Sequence, residues 1–238
     1  MTKTTSSPGC RPPRARRRWR VLPAVLVAGA ATAAMPPSAA APAASADAAP
    51  RVDYPCTQYL TQWANKTVRS TWSFHLDAAG RPARATTLNL SAGTSPRTTC
   101  ETTVGRWGGS GSDGGHLIAS TLKGVSKRIN LVPMRKKINI GIYKMFENGA
   151  KKCLKAGKNQ TRYESTVTYP DARDVVPKTL TLSMIPKAKG GSGTEIKLVI
   201  PNEDITKRKE NALKKQLNTG LTNNKCGTVA SADDEPAL

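Results

Sequence analysis

The chain reads as one α+β domain, and three patterns point there. Strand-like runs lie on both sides of one amphipathic helical segment, Gly- and Pro-rich turns separate them, and no internal repeat is visible. Trp72 to Asn89 holds Ser73-Phe74-His75-Leu76 and Thr86-Thr87-Leu88-Asn89 around Gly80-Arg81-Pro82, the pattern of a β-hairpin. Ile138 to Lys155 places Ile138, Ile142, Met145, Phe146, Ala150, Cys153 and Leu154 at spacings of three and four, which predicts a helix ending near Gly157. Tyr163–Tyr169, Leu180–Ile185 and Glu195–Ile200 follow as strands, and Ile205 to Leu217 as a Lys-rich helix. Thr57 to Val68 suits a short helix or strand. Six glycines between 105 and 115 read as a mobile loop or a close backbone approach to a ligand.

The ends read differently. Six arginines from Arg11 to Arg20, the apolar run Val21 to Ala34 and the small-residue pattern Ala44-Ser45-Ala46 predict a signal peptide over 1–46. The run is short and Ala-rich for a membrane span, and the residues around Arg17-Arg18 fit a twin-arginine signal poorly. Residues 36–50 are Ala- and Pro-rich, an N-terminal segment occupies 47–69, the domain 70–220, and a tail 221–238 that ends acidic. The expectation is an exported, extracellular protein with no stable membrane association after cleavage.

Net charge is +21, from 37 Lys and Arg against 16 Asp and Glu. Seven basic residues and no acidic ones precede the cut, which leaves +14 on a 192-residue chain. Such a charge implies a polyanionic partner: nucleic acid, anionic lipid or wall polymer. Cys56, Cys100, Cys153 and Cys226 remain after the cut, an even number that predicts two disulfides, with three pairings open. No pair has CxxC spacing and there are only two histidines, which argues against a zinc site.

Chemistry concentrates in one stretch. His116 follows Asp113-Gly114-Gly115, and Asn130, Asn139 and Glu147 come soon after. A neutral imidazole can take a proton from water near neutral pH. Hydrolysis of a phosphodiester also needs a cation to offset phosphate charge, and Mg²⁺ accepts a single amide oxygen while keeping most of its waters. Asn139, at the start of the expected helix, can supply that oxygen. Glu147 lies about 12 Å further along the axis at ~1.5 Å per residue, so it suits a role at the metal's water shell. Between Lys123 and Lys158 there are eleven Lys or Arg and one acid, Glu147. Arg81, Arg128, Arg135, Lys136, Lys144 and Lys151 are the expected phosphate contacts, which would bind without reading sequence. Trp72 is expected in the core, Trp107 is open between core and base stacking, and His75 is expected as a satisfied core residue.

The strings Asp113-Gly114-Gly115-His116-Leu117-Ile118-Ala119 and Arg128-Ile129-Asn130-Leu131-Val132-Pro133, followed by Asn139 and Glu147, resemble the DNA/RNA non-specific endonucleases of the ββα-metal superfamily, in their bacterial secreted branch. The resemblance spans about residues 80 to 185. It implies a ββα-metal core with a central antiparallel sheet and flanking helices. It assigns the general base to His116, the metal-binding asparagine to Asn139, the glutamate that orients water on the metal to Glu147, and a site-shaping asparagine to Asn130. The implied activity is Mg²⁺- (or Mn²⁺-) dependent hydrolysis of DNA and RNA to 5′-phosphates. Gly114 stands where better-known members have arginine, and Met134 where glutamine usually follows the Val-Pro. The alternative is a non-catalytic cationic protein that holds nucleic acid or wall polymer by charge alone. A membrane-active toxin ranks last, because the basic helices are weakly amphipathic toward lipid.

Overall fold

The structure is a computed structural model that describes residues 54–232. The expected signal peptide, the Ala- and Pro-rich lead-in and the acidic tail from Asp233 lie outside the described residues. A six-stranded antiparallel sheet is the main layer, ordered β1-β2-β3-β6-β7-β8. Its strands are β1 (Thr67–Arg69), β2 (Ser73–Leu76), β3 (Pro82–Thr87), β6 (Arg162–Thr168), β7 (Thr179–Ile185) and β8 (Ile196–Pro201). A separate ribbon pairs β4 (Ser112–His116) with β5 (Leu131–Arg135). The helices are α1 (Cys100–Trp107), α2 (Lys136–Ile138), α3 (Lys144–Lys155) and α4 (Lys207–Asn223). The α+β class with a central antiparallel sheet and flanking helices is what the sequence predicts, and β4, β5 and the helix after them form its ββα unit.

Alternation builds the sheet. Phe74, Leu76, Ala85, Tyr163, Leu180, Leu182, Leu198 and Ile200 are buried on one face, while their neighbours Ser73, His75, Arg84 and Glu164 lie on the other. His75 is therefore on the outer face, half-buried beside the Thr67 hydroxyl at 3.2 Å, and not in the core as expected. Gly80 has φ +79°, and a Cβ there would meet the Leu60 backbone at 2.5 Å, so the β2–β3 turn requires glycine. Helix α3 buries Met145, Phe146, Ala150 and Cys153, and α4 buries Leu213, Leu217 and Leu221. The Tyr163 ring meets both Trp72 and Phe146 edge-on, at 5.9 and 5.7 Å between centroids. Trp72 is a core residue, as expected, and its indole donates to Leu122 O at 3.1 Å.

Two disulfides close the frame, Cys56–Cys100 and Cys153–Cys226. The first ties the N-terminal segment to the first residue of α1. The second ties α3 to the chain just beyond α4, which runs six residues past its expected end at Leu217.

The glycine-rich stretch is a loop only over 108–111. The rest contributes the end of α1 and β4 as far as Gly115, and its glycines let the two pack closely. A Cβ at Gly114 would lie 2.1 Å from the Glu101 carbonyl oxygen, and one at Gly105 would lie 2.9 Å from Gly114 N. The expected helix from Ile138 is also more complex. Chain direction changes at Gly141 (φ −98°, ψ −115°), inside a five-residue π-type turn over Asn139–Tyr143 between α2 and α3. Such turns widen one helical repeat and re-aim side chains.

Candidate active site

Strand β4, helix α1 and the α2–α3 segment surround one open cavity of about 900 Å³. His116 enters from the end of β4, Asn139 from the π-type turn, and Glu147 from the first turn of α3; all three line it. The kink helps bring the latter two to one wall although eight residues separate them. Lys136, Lys144 and Lys151 line it too, as do Arg97 and Arg106.

His116 is 7% exposed, and its ring is set against Ser126 and against Glu101 of α1. Its Nε2 lies 2.9 Å from Ser126 Oγ and 3.7 Å from Glu101 Oε1. Ser126 Oγ donates to Glu101 Oε1 at 2.7 Å, and Arg97 pairs with Glu101 Oε2 at 3.0 Å. The Thr98 hydroxyl donates to Ser126 O at 2.7 Å and pins that serine beside α1. Burial pushes the imidazole down from the usual 6.5 to about 4; Glu101 opposes this and Arg97 adds to it. The ring is therefore neutral at pH 7, as a base must be.

Asn139 donates from Nδ2 toward Asp113 Oδ2 at 3.4 Å, so the amide turns its carbonyl oxygen away from that carboxylate. Asp113 and Glu147 both line the cavity. Among the described residues no three His, Cys, Asp or Glu cluster as a closed metal cage. A sparse set of hard oxygens fits an ion such as Mg²⁺ that keeps much of its hydration shell, and does not fit a structural zinc.

Other expected site residues fall elsewhere. Asn130 is fully buried and touches no cavity space: its Oδ1 accepts from Ile118 N, and its Nδ2 donates to Ile118 O and Val125 O, each at 2.9 Å. It shapes the 118–130 loop and is not a catalytic group. Arg81 and Arg128, expected to face phosphate, are structural. Arg81 is 6% exposed, bridges Asp77 at 2.6 Å and donates to Asp171 O and Asp174 O. Arg128 is fully buried, donates to Thr57 O, Gln58 O and Leu131 O, and covers the Trp107 ring at 5.1 Å. Trp107 is thus occupied by packing. Arg135 is engaged by Asp204 at 2.9 Å and by Ser110 O, outside the cavity lining. Lys151 lines the cavity but is only 2% exposed, so it belongs to the wall and not to an open phosphate track. The Met134 side chain is wholly buried over Gly115 and takes no part in the lining.

Sequence reading missed Glu101, Ser126, Asp113, Arg97 and Arg106. Asp113 was visible within the Asp-Gly-Gly-His string. Glu101 and Ser126 lie 15 and 10 residues from His116, and no local pattern links them to it.

No curated protein matches the chain. Two solved structures of NucA from Streptococcus agalactiae are similar, each 22% identical and each covering 59% of this chain and 74% of that one. The one with magnesium ion bound has a TM-score of 0.46, and the one with no metal bound 0.45. The family model for DNA/RNA non-specific endonuclease matches residues 62–186, which contain β4, β5, His116, Asn139 and Glu147. By that match over more than half of its length, the chain belongs to the DNA/RNA non-specific endonuclease family.

Proposed function

We propose that the protein is an exported, Mg²⁺-dependent endonuclease that hydrolyses phosphodiester bonds of DNA and RNA without sequence preference. The observation that carries this reading is the single cavity in which a buried, neutral His116 meets Asn139, Glu147 and a ring of cations. In this reading the signal peptide of 1–46 is removed, and residues 70–220 carry the activity.

His116 acts as general base and takes a proton from the attacking water. Asn139, through its amide oxygen, would hold the divalent ion, and Glu147 would hold a water of its shell. When bound, the ion offsets charge on the phosphate and on the leaving 3′ oxygen. Lys136, Arg97 and Arg106, at the cavity edge, draw in the polyanion, and Lys151 and Lys144 in its wall favour the extra negative charge of the transition state. Water as nucleophile makes the sugar 2′-OH unnecessary, so both nucleic acids are substrates and the products carry 5′-phosphates.

The test is digestion of plasmid DNA and total RNA by the mature protein, with Mg²⁺ and with EDTA, beside His116→Ala. Metal-dependent cutting of both, lost in the variant, is expected. Full activity in a folded His116→Ala protein would falsify the assignment. Retardation without cutting, indifferent to metal, would leave a cationic binder.

A further inference from the structure

A serine hydroxyl has one proton, and that of Ser126 is committed. It points to Glu101 Oε1 at 2.7 Å, and a carboxylate can only accept. The contact between Ser126 Oγ and His116 Nε2 at 2.9 Å must then run the other way, with Nε2–H donating to the serine lone pair. A neutral imidazole carries one proton, so Nδ1 is left as the bare, basic nitrogen. The polarity of the chain His116–Ser126–Glu101 is fixed at its far end by a carboxylate, whose other oxygen pairs with Arg97 at 3.0 Å.

We propose that Glu101 and Ser126 are positioning residues that lock His116 in its Nε2–H tautomer and so present Nδ1 to the attacking water. The proposal rests on the reading of His116 as general base. The structure spends several independent contacts on the arrangement. Thr98 holds the Ser126 backbone, the Cys56–Cys100 bond fixes the residue before Glu101, and Gly114 admits the Glu101 carbonyl against β4. When Nδ1 takes the water proton, the Glu101 carboxylate 3.7 Å from Nε2 also faces the new positive charge. A tautomer fixed in this way costs nothing to reorganise at the moment of proton transfer, which is where a base gains rate.

Glu101→Gln makes a sharp test, because it reverses the chain. Arg97, which pairs with Oε2, would hold the amide oxygen there and turn the NH2 toward Ser126 Oγ, which frees the serine proton for Nε2 and moves the imidazole proton to Nδ1. Imidazole ¹⁵N–¹H long-range spectra read this directly, and His75 is the sole other histidine. The expected wild-type spectrum at pH 7 shows His116 protonated at Nε2. Glu101→Gln is expected to shift it to Nδ1–H, with kcat down about 100-fold and KM within about twofold. Ser126→Ala is expected to give mixed tautomers and a similar loss, and Ser126→Thr, which keeps the hydroxyl, to restore both. Nδ1–H in the wild type would overturn the proposal. So would an unchanged tautomer and kcat in folded Glu101→Gln and Ser126→Ala. An active His116→Ala protein would instead defeat the general-base reading, and the spectra would still report the tautomer by themselves.

Discussion

With His116 as the general base proposed above, its depressed pKa of about 4 sets the acid side of the rate profile. The acid limb of kcat/KM reports the free enzyme's base, so its midpoint is expected near 4 and not at the ordinary 6.5. Removing the Arg97 cation raises the imidazole pKa, so Arg97→Ala should move that limb toward higher pH; an unmoved limb would contradict the electrostatic account. The same group links stability to pH. The folded imidazole binds its proton more weakly than the unfolded one, so its contribution is complete above 6.5 and is lost as pH falls toward 4. Urea midpoints of wild type and His116→Asn, measured across that window, should converge as pH drops. Basic residues divide just as sharply. Arg128→Ala strips donors from three backbone carbonyls and should cost about 3 kcal/mol or more in urea unfolding. Lys136→Ala, at an exposed position on the cavity, should leave stability alone and lower the salt slope of DNA binding by about one.

Helix α1 and strand β4 approach through glycines at 105 and 114, and the tighter contact is at Gly114. A methyl group at position 114 would overlap the Glu101 carbonyl, so Gly114→Ala should push α1 outward. The expected cost is about 2 kcal/mol by thermal unfolding, with a loss of kcat because Glu101 moves with the helix. These two elements, with β5, are among those that sequence reading did not find. Cys-Glu-Thr-Thr-Val-Gly-Arg-Trp has too little helix propensity to announce α1. Ser-Asp-Gly-Gly-His lacks every strand-forming residue; β4 exists because β5, with Leu131, Val132 and Met134 buried, supplies the partner and the burial. By contrast β2, β3 and β6 to β8 were legible from alternation, and α3 from its three-four spacing. His116, Asn139 and Glu147 were singled out by the Asp-Gly-Gly-His string and the intervals that follow it, and all three line one cavity, although the residues from 122 to 135 between them do not. The assignment of Arg81 and Arg128 failed for a general reason: a count of cations does not say which have their charge enclosed by carbonyls.

Across the whole molecule, the sheet, α3 and α4 share a hydrophobic core, and Cys153–Cys226 locks its helical side. That bond closes 73 residues, worth about 4 kcal/mol by loop entropy. Cys153→Ser/Cys226→Ser should therefore lose about that much stability in urea while keeping the acid limb of the rate profile, since neither cysteine lines the cavity. Cys56–Cys100 has a different consequence. It anchors the neighbour of Glu101, the carboxylate proposed to set the tautomer of His116, so on that proposal the oxidation state of the surroundings would become a licence to cut. A chain still among cytoplasmic thiols would carry slack at Glu101 and an imidazole free to exchange tautomers. The same chain, once delivered to an oxidising space, would tighten without any other signal.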